Sequence, residues 1–156
     1  MRDQLSLRAD FHTHPLGDRY YPHTLKELST EDKNNIRLFL HAMVQGGLDV
    51  LACTDHNTLI SGLWAKKLAK QEGLPLIVIP GSEVNVRGST QQIHLLALNI
   101  KKDLPAGQLS VREAAREIRS QGGVAILAHP VKYPQEISLN PDILGELDGI
   151  ETNNLS

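Results

Sequence analysis

The chain offers imidazole and carboxylate groups at short, recurring intervals. Asp10, His12 and His14 stand in D-F-H-T-H, Asp55 and His56 in T-D-H-N, Glu83 in G-S-E, His94 in I-H-L-L, His129 in A-H-P and Glu151 in G-I-E. Alternate side chains of an extended chain point to one side, about 7 Å apart, so His12 and His14 can converge on one divalent ion. A single His or Asp just past a strand is ordinarily a cap or turn residue. Several crowded at one rim are costly to desolvate unless a cation satisfies them. The donors are nitrogen and oxygen without thiolate, which suits Zn²⁺, Mn²⁺ or Fe and disfavours a structural zinc knot. Two or three ions account for so many donors better than one. Glu83, with two oxygens, is suited to bridge a pair about 3.5–4 Å apart. Such a cluster lowers the pKa of a bridging water to about 7 and seats the oxygens of a phosphoester. No protein nucleophile is then needed, and the sequence has no G-x-S-x-G elbow, P-loop or G-x-G-x-x-G. Cys53, inside an apolar run, reads as a small core residue. His41 reads as a helix-face residue, and His23 lies in a long loop.

The elements that position these groups follow from periodicity. Strands are expected over Leu5–Phe11, Leu48–Thr54, the run LPLIVIP, the stretch GVAILAHP and the start of LDGIET. A hairpin over Glu83–Ile100 turns near Arg87-Gly88-Ser89. Helices are expected from Ser29 or Thr30 to Gly46-Gly47, from Leu59 to Gln71, and from the capping box at Ser110 and Glu113 to Gln121, with a short one over Asn140–Leu144. Alternating strands and helices imply right-handed crossovers and a mostly parallel sheet with helices outside. In such α/β sheets function gathers at the carboxyl ends of the strands, where the His, Asp and Glu residues fall.

Composition narrows the class. The 156 residues are 40% hydrophobic and 22% charged, the size of one ordinary domain with a sizeable core. No apolar run approaches the roughly 18–20 residues of a membrane span. Sixteen Lys and Arg against 18 Asp and Glu leave a net charge of −2. That balance argues against extended nucleic-acid binding, though a short end can still enter a pocket. A lone cysteine and a charged N-terminus without a signal-peptide core point to the cytoplasm. Seven histidines stand against six aromatic residues.

In order, D-F-H-T-H, T-D-H-N, G-S-E, I-H-L-L, A-H-P and G-I-E resemble the PHP (polymerase and histidinol phosphatase) family of metal-dependent phosphoesterases, from Asp10 to Glu151. The resemblance implies a distorted (β/α)7-type barrel with a trinuclear metal site at its carboxyl rim. It assigns His12, His14 and Glu83 to one ion, Glu83, His94 and His129 to a second, and Asp18 and His56 to a third, with His23 a substitute for Asp18. Asp10 and Asp55 would orient the imidazoles by hydrogen bonds. Glu83, His129 and Asp55 are the expected catalytic residues, and Arg19, Arg87 and Lys132 lie in rim loops that can meet a phosphate. Family members carry a further Asp-x-His motif near a last strand, which this sequence lacks. About six strands are countable, and residues 1–156 are expected to form one C-terminally truncated, incomplete barrel. Open sheet edges would then invite pairing with a second copy.

The implied function is hydrolysis of a small phosphomonoester or nucleotide-like phosphodiester by attack of a metal-bound hydroxide. The alternatives are an amidohydrolase-type metal hydrolase and a catalytically impaired metal-binding or assembly module.

Overall fold

Two serines set the helix starts. Ser29 accepts a hydrogen bond from the Asp32 N–H and Ser110 from the Glu113 N–H, and each acidic side chain reaches back to the serine N–H, which closes a capping box. These caps open α1 (Thr30–Gln45) and α3 (Val111–Ser120). Between them α2 (Ile60–Glu72) ends at Gly73, whose φ of 63° is the left-handed C-cap that glycine adopts without strain. The computed structural model describes residues 6–17 and 27–152. Asp18, Arg19 and His23 lie outside them.

Six strands form one sheet in the order β1 (Ala9–Asp10), β2 (Val50–Cys53), β3 (Ile77–Arg87), β4 (Gln92–Leu98), β5 (Val124–Leu127) and β6 (Gly149–Ile150). The pairs β1–β2, β2–β3 and β5–β6 are parallel, and β4 runs antiparallel to both of its neighbours. The sheet curls: Glu151, just past β6, hydrogen-bonds His12, just past β1, so its two ends meet at the rim. The result is an α/β half-barrel with a seam between β1 and β6, in keeping with an incomplete barrel.

Period-2 alternation divides the core. Ala52, Leu96, Leu98 and Ala128 point into the curl. Leu51, Cys53 and Val78 point outward against Ile36, Leu40, Ala65 and Ala69 of α1 and α2. Leu95, Ala97, Ala125 and Leu127 meet Ala114, Ala115 and Ile118 of α3. Helix α2 lies tight on the sheet because Gly62 has no side chain: a Cβ there would stand 2.8 Å from the Pro80 Cα. Cys53 is fully buried, and burial pushes its thiol far above the ordinary range. His41 sits on the α1 surface and pairs with Glu72 of α2 at 2.7 Å.

Three boundaries differ from expectation. The first strand is two residues long instead of Leu5–Phe11, because it pairs with β2 alone and Leu7 stays 70% exposed. LPLIVIP and the first arm of the hairpin are one continuous 11-residue strand, whose residues 77–80 pair with β2 and whose residues 81–87 pair with β4. The short helix expected at Asn140–Leu144 is present as a 3-10 helix over Pro141–Glu146, and it is preceded by an unexpected α4 (Pro134–Leu139). Each starts at a proline, which lacks the N–H that a preceding helix would require. Among the described residues no helix is long and apolar enough to cross a membrane.

The β3–β4 turn is held by a buried carboxylate. Glu136 of α4 accepts the Ser89 N–H at 2.6 Å, the Thr90 N–H at 2.9 Å and the Thr90 hydroxyl at 3.0 Å. Burial pushes this carboxyl up, but these donors outweigh it and hold it below its ordinary value. Its contribution to stability is therefore present above the unfolded carboxyl pKa, about 4.3, and lost as pH falls through the lower folded value. Glu136→Gln places an amide against a backbone N–H. It is expected to destabilise the fold by about 1–3 kcal/mol at pH 7, with the gap narrowing on acidification, as followed by urea unfolding across pH.

Candidate metal centre

The site is assembled by the loops after β1, β2 and β5 around the middle of β3. Asp10 Oδ1 accepts the His12 N–H at 3.1 Å and turns the chain out of β1. Thr13 and Thr54 then stitch this loop to the end of β2: the Thr13 N–H donates to Thr54 Oγ1 at 3.0 Å, and the Thr54 N–H to the Thr13 carbonyl at 2.8 Å. Asp55, fully buried, accepts the Leu16 N–H at 3.0 Å. Both aspartates thus bond the backbone of the segment that presents His12 and His14.

Glu83 sits inside β3, where pairing passes from β2 to β4, and not at a strand end as its motif implied. The chain beyond β2 follows it for one more step: the Glu83 N–H donates to the Thr54 carbonyl at 3.1 Å, and the Asn57 N–H donates to the Glu83 carbonyl at 2.9 Å. Asn57 adopts φ 56°, a conformation in which asparagine is enriched, and its side chain accepts the Asn85 N–H at 2.9 Å. His56 is thereby brought beside Glu83.

Five imidazoles surround the Glu83 carboxylate, which is 1% exposed. His94 Nδ1 lies 2.6 Å and His129 Nε2 2.8 Å from Oε1. His12 Nε2 lies 3.1 Å, His14 Nε2 3.2 Å and His56 Nδ1 3.4 Å from Oε2. The rings form a closed circuit, His12 to His14, His56, His94, His129 and back to His12, with neighbouring centroids 4.7–5.8 Å apart. Burial pushes the Glu83 carboxyl up, yet hydrogen bonds from His12, His129, His14 and His94 outweigh it and hold the group well below the carboxylate range. For His12, burial pulls the pKa down, while Glu83 and Glu151 raise it to a net value above 6.5.

The sequence pattern puts Glu151 among the rim groups without assigning it to an ion or a catalytic role. In the structure Glu151 fastens the site: Oε1 lies 3.0 Å from His12 Nδ1, and Oε2 accepts the His129 N–H at 2.7 Å. His129 itself is held at φ 30°, ψ 60°, a left-handed conformation costly for a residue other than glycine and typical of functional sites. Tyr133 was missed. It is buried, with its ring 5.5 Å from His129 and 6.4 Å from His94. Its only sequence signal was its position four residues after His129. Arg87 lies four strand residues beyond Glu83, about 13 Å along β3, beside Glu113 at 4.0 Å and away from the imidazoles. Lys132 is exposed.

These residues fit divalent cations. A carboxylate has about four acceptor positions, fewer than the five nitrogens aimed at it. Among the described residues His14 Nδ1 and His129 Nδ1, both buried, have no hydrogen-bond partner. The ligand atoms of His12, Glu83 and His129 lie within 4.8 Å of one another, as do those of His14, His56 and Glu83. This partition differs from the sets that the resemblance implied, and Glu83 is common to both groups.

No family model matches the chain. An uncharacterized protein of Methanocaldococcus jannaschii is 36% identical over 127 residues, 81% of this chain and 68% of that protein. The chain belongs to its family. The 5′-3′ exoribonuclease Rnm of Salmonella typhimurium is 34% identical over 67 residues, which are 43% of this chain and 23% of that enzyme. Among solved structures, a protein of Bifidobacterium adolescentis described as a metal-dependent phosphoesterase superposes with a TM-score of 0.59 at 16% identity, over 74% of this chain and 71% of that one. An amidohydrolase of Chromobacterium violaceum, solved with bound sulfate, gives 0.57 at 16% identity over 71% and 69%. A two-domain Bacteroides vulgatus protein containing a predicted PHP-like metal-dependent phosphoesterase gives 0.57 at 24% identity, over 92% of this chain and 43% of that one. At these identities the structures establish a shared fold.

In protein freed of divalent ions, His12 is expected to titrate above the ordinary imidazole value, and Glu151→Gln to bring it down. Histidine-resolved NMR titration reads both. An unchanged His12 pKa in the variant would mean that Glu151 does not act on this ring.

Proposed function

We propose that the protein is a metal-dependent phosphoesterase of the PHP kind, acting on a small phosphomonoester or a nucleotide-like phosphodiester. The observation that carries this reading is Glu83, whose two oxygens face different imidazoles in a buried rim site. His12, His14, His56, His94 and His129 would hold divalent ions, of the Zn, Mn or Fe type that nitrogen and oxygen donors select, with Glu83 shared between them. Such ions supply Lewis acidity toward a phosphoryl oxygen and a coordinated water of lowered pKa.

The chain's own residues do the rest. Glu151 accepts from His12 Nδ1, which leaves Nε2 as the ligand nitrogen, the arrangement by which an outer carboxylate fixes a metal-binding tautomer. Asp10 and Asp55 hold the His12–His14 segment by its backbone, and Tyr133 covers one side of the imidazole circuit. The Salmonella exoribonuclease, similar over part of this chain, supports a phosphodiester as substrate. Amide or ester hydrolysis is a second reading, favoured by the fold shared with the amidohydrolase. A glutamate at the centre, where amidohydrolases commonly use a lysine, favours the phosphoesterase.

Assays of an aryl phosphate and an aryl amide in parallel, with added Mn²⁺ or Zn²⁺, are expected to show phosphate release alone. Glu83→Ala is expected to lose nearly all bound metal and activity, and His12→Ala only part of the metal, measured as ions per chain. Amide cleavage without phosphate release would transfer the protein to the second reading.

A further inference from the structure

A second site lies between α1 and α2. Ile60, Leu63, Trp64 and Lys67 fall on one face of α2 by helical spacing, and Lys33 of α1 faces them. Together they line a cleft of about 430 Å³. Trp64 is the single tryptophan of the chain. The Lys33 Nζ lies 5.2 Å and the Lys67 Nζ 5.4 Å from its ring centroid. Two ammonium groups are thus brought to one indole, and neither makes an ion pair among the described residues. Arg37, one helical turn beyond Lys33, is by contrast taken by Glu72 at 2.8 Å. Among the described residues the one acidic group lining the cleft is the exposed Glu27, against the two lysines. Leu63, 50% exposed, adds an apolar wall, and among the described residues the buried Trp64 Nε1–H has no acceptor.

Position links this cleft to the metal centre. Helix α2 starts four residues after His56, so at most about 14 Å of chain separates them. Both lie where chain leaves the carboxyl ends of β1 and β2. Trp64 is half-buried, packed against the core between α1 and α2, with its remaining surface beside the two lysines. An aromatic ring next to cations is the combination that binds single-stranded nucleic acid, bases against rings and phosphates on lysines.

We infer that the cleft is a subsite for a single-stranded oligonucleotide, holding a base against Trp64 and the flanking phosphates on Lys33 and Lys67. As a substrate subsite it rests on the phosphoesterase reading; as a binding site it does not. A single end held in this way is compatible with the chain's slight net negative charge, which argues only against binding along an extended surface.

Because Trp64 is unique, its fluorescence reports the cleft directly. The full chain in EDTA is titrated with a 5′-phosphorylated oligoribonucleotide of about six residues, with inorganic phosphate, and with a nucleoside. The oligonucleotide is expected to quench saturably, and the two small probes weakly or not at all. Lys33→Met with Lys67→Met keeps the stems over the ring and removes the charge. It is expected to weaken binding about tenfold and to flatten the log–log salt dependence by about 1.4, twice the single-strand increment per phosphate contact. Its aryl phosphate hydrolysis with Mn²⁺ is expected to match the parent chain. Absence of quenching, or equal affinity and salt slope in the double variant, would overturn the inference. If quenching and its lysine dependence hold while the parent chain hydrolyses neither aryl phosphate nor oligonucleotide, the catalytic reading fails and the binding site stands.

Discussion

Everything in the rim is organised by one buried carboxylate. An isolated Glu83 in this position would become neutral, since removing a carboxylate from water costs several kcal/mol even after relaxation. It stays ionised because five imidazole nitrogens face it within 2.6–3.4 Å. The reverse also holds: without that negative charge, five histidines would have little reason to share one spot. Their segments come from four separate parts of the chain, so this single electrostatic centre ties together β1, β2, β4 and β5.

The sheet's topology makes the centre available. A strand paired on both sides by uniform parallel neighbours would keep Glu83 within a regular ladder. Here β3 leaves β2 after Pro80 and continues along β4 to Arg87. Its middle is therefore where the β2 loop and β4 both approach, and the side chain that points into the curl meets groups from each. The antiparallel return of β4 sets His94 opposite Asn85, two residues beyond Glu83 on the same face, from where its Nδ1 reaches the carboxylate. Behind the rim, the Glu136 grip on Ser89 and Thr90 holds the far end of the hairpin against α4, the segment that follows Tyr133.

Much of this was legible in the sequence. Capping boxes at Ser29 and Ser110 and the glycines after α1 and α2 mark helix ends by local chemistry. The ordered motifs marked the His and Glu residues of the centre. What the sequence concealed depends on tertiary partners. The length of β1 is set by its having only one neighbour. The continuity of β3 through Gly81 and Ser82, residues that elsewhere punctuate strands, is set by β4 arriving alongside. Glu151 belongs to the site because the sheet curls far enough to bring β6 against the loop after β1, and no local pattern encodes curvature. The approach of distant histidines is hidden for the same reason: His129 is remote from His12 in sequence, yet their Nε2 atoms face the two oxygens of one carboxylate.

Among the described residues the Glu151 link joins β1 and β6 by side chains, with no backbone ladder between these two strands. A fold fastened this way has a latch instead of a zipper. Any cation that draws His12 and His129 together tightens the latch from the inside, so occupancy and closure become one cooperative event, and whatever binds the native rim preferentially stabilises the whole curl by mass action. The seam of the half-barrel thus runs through the rim that carries the candidate metal centre.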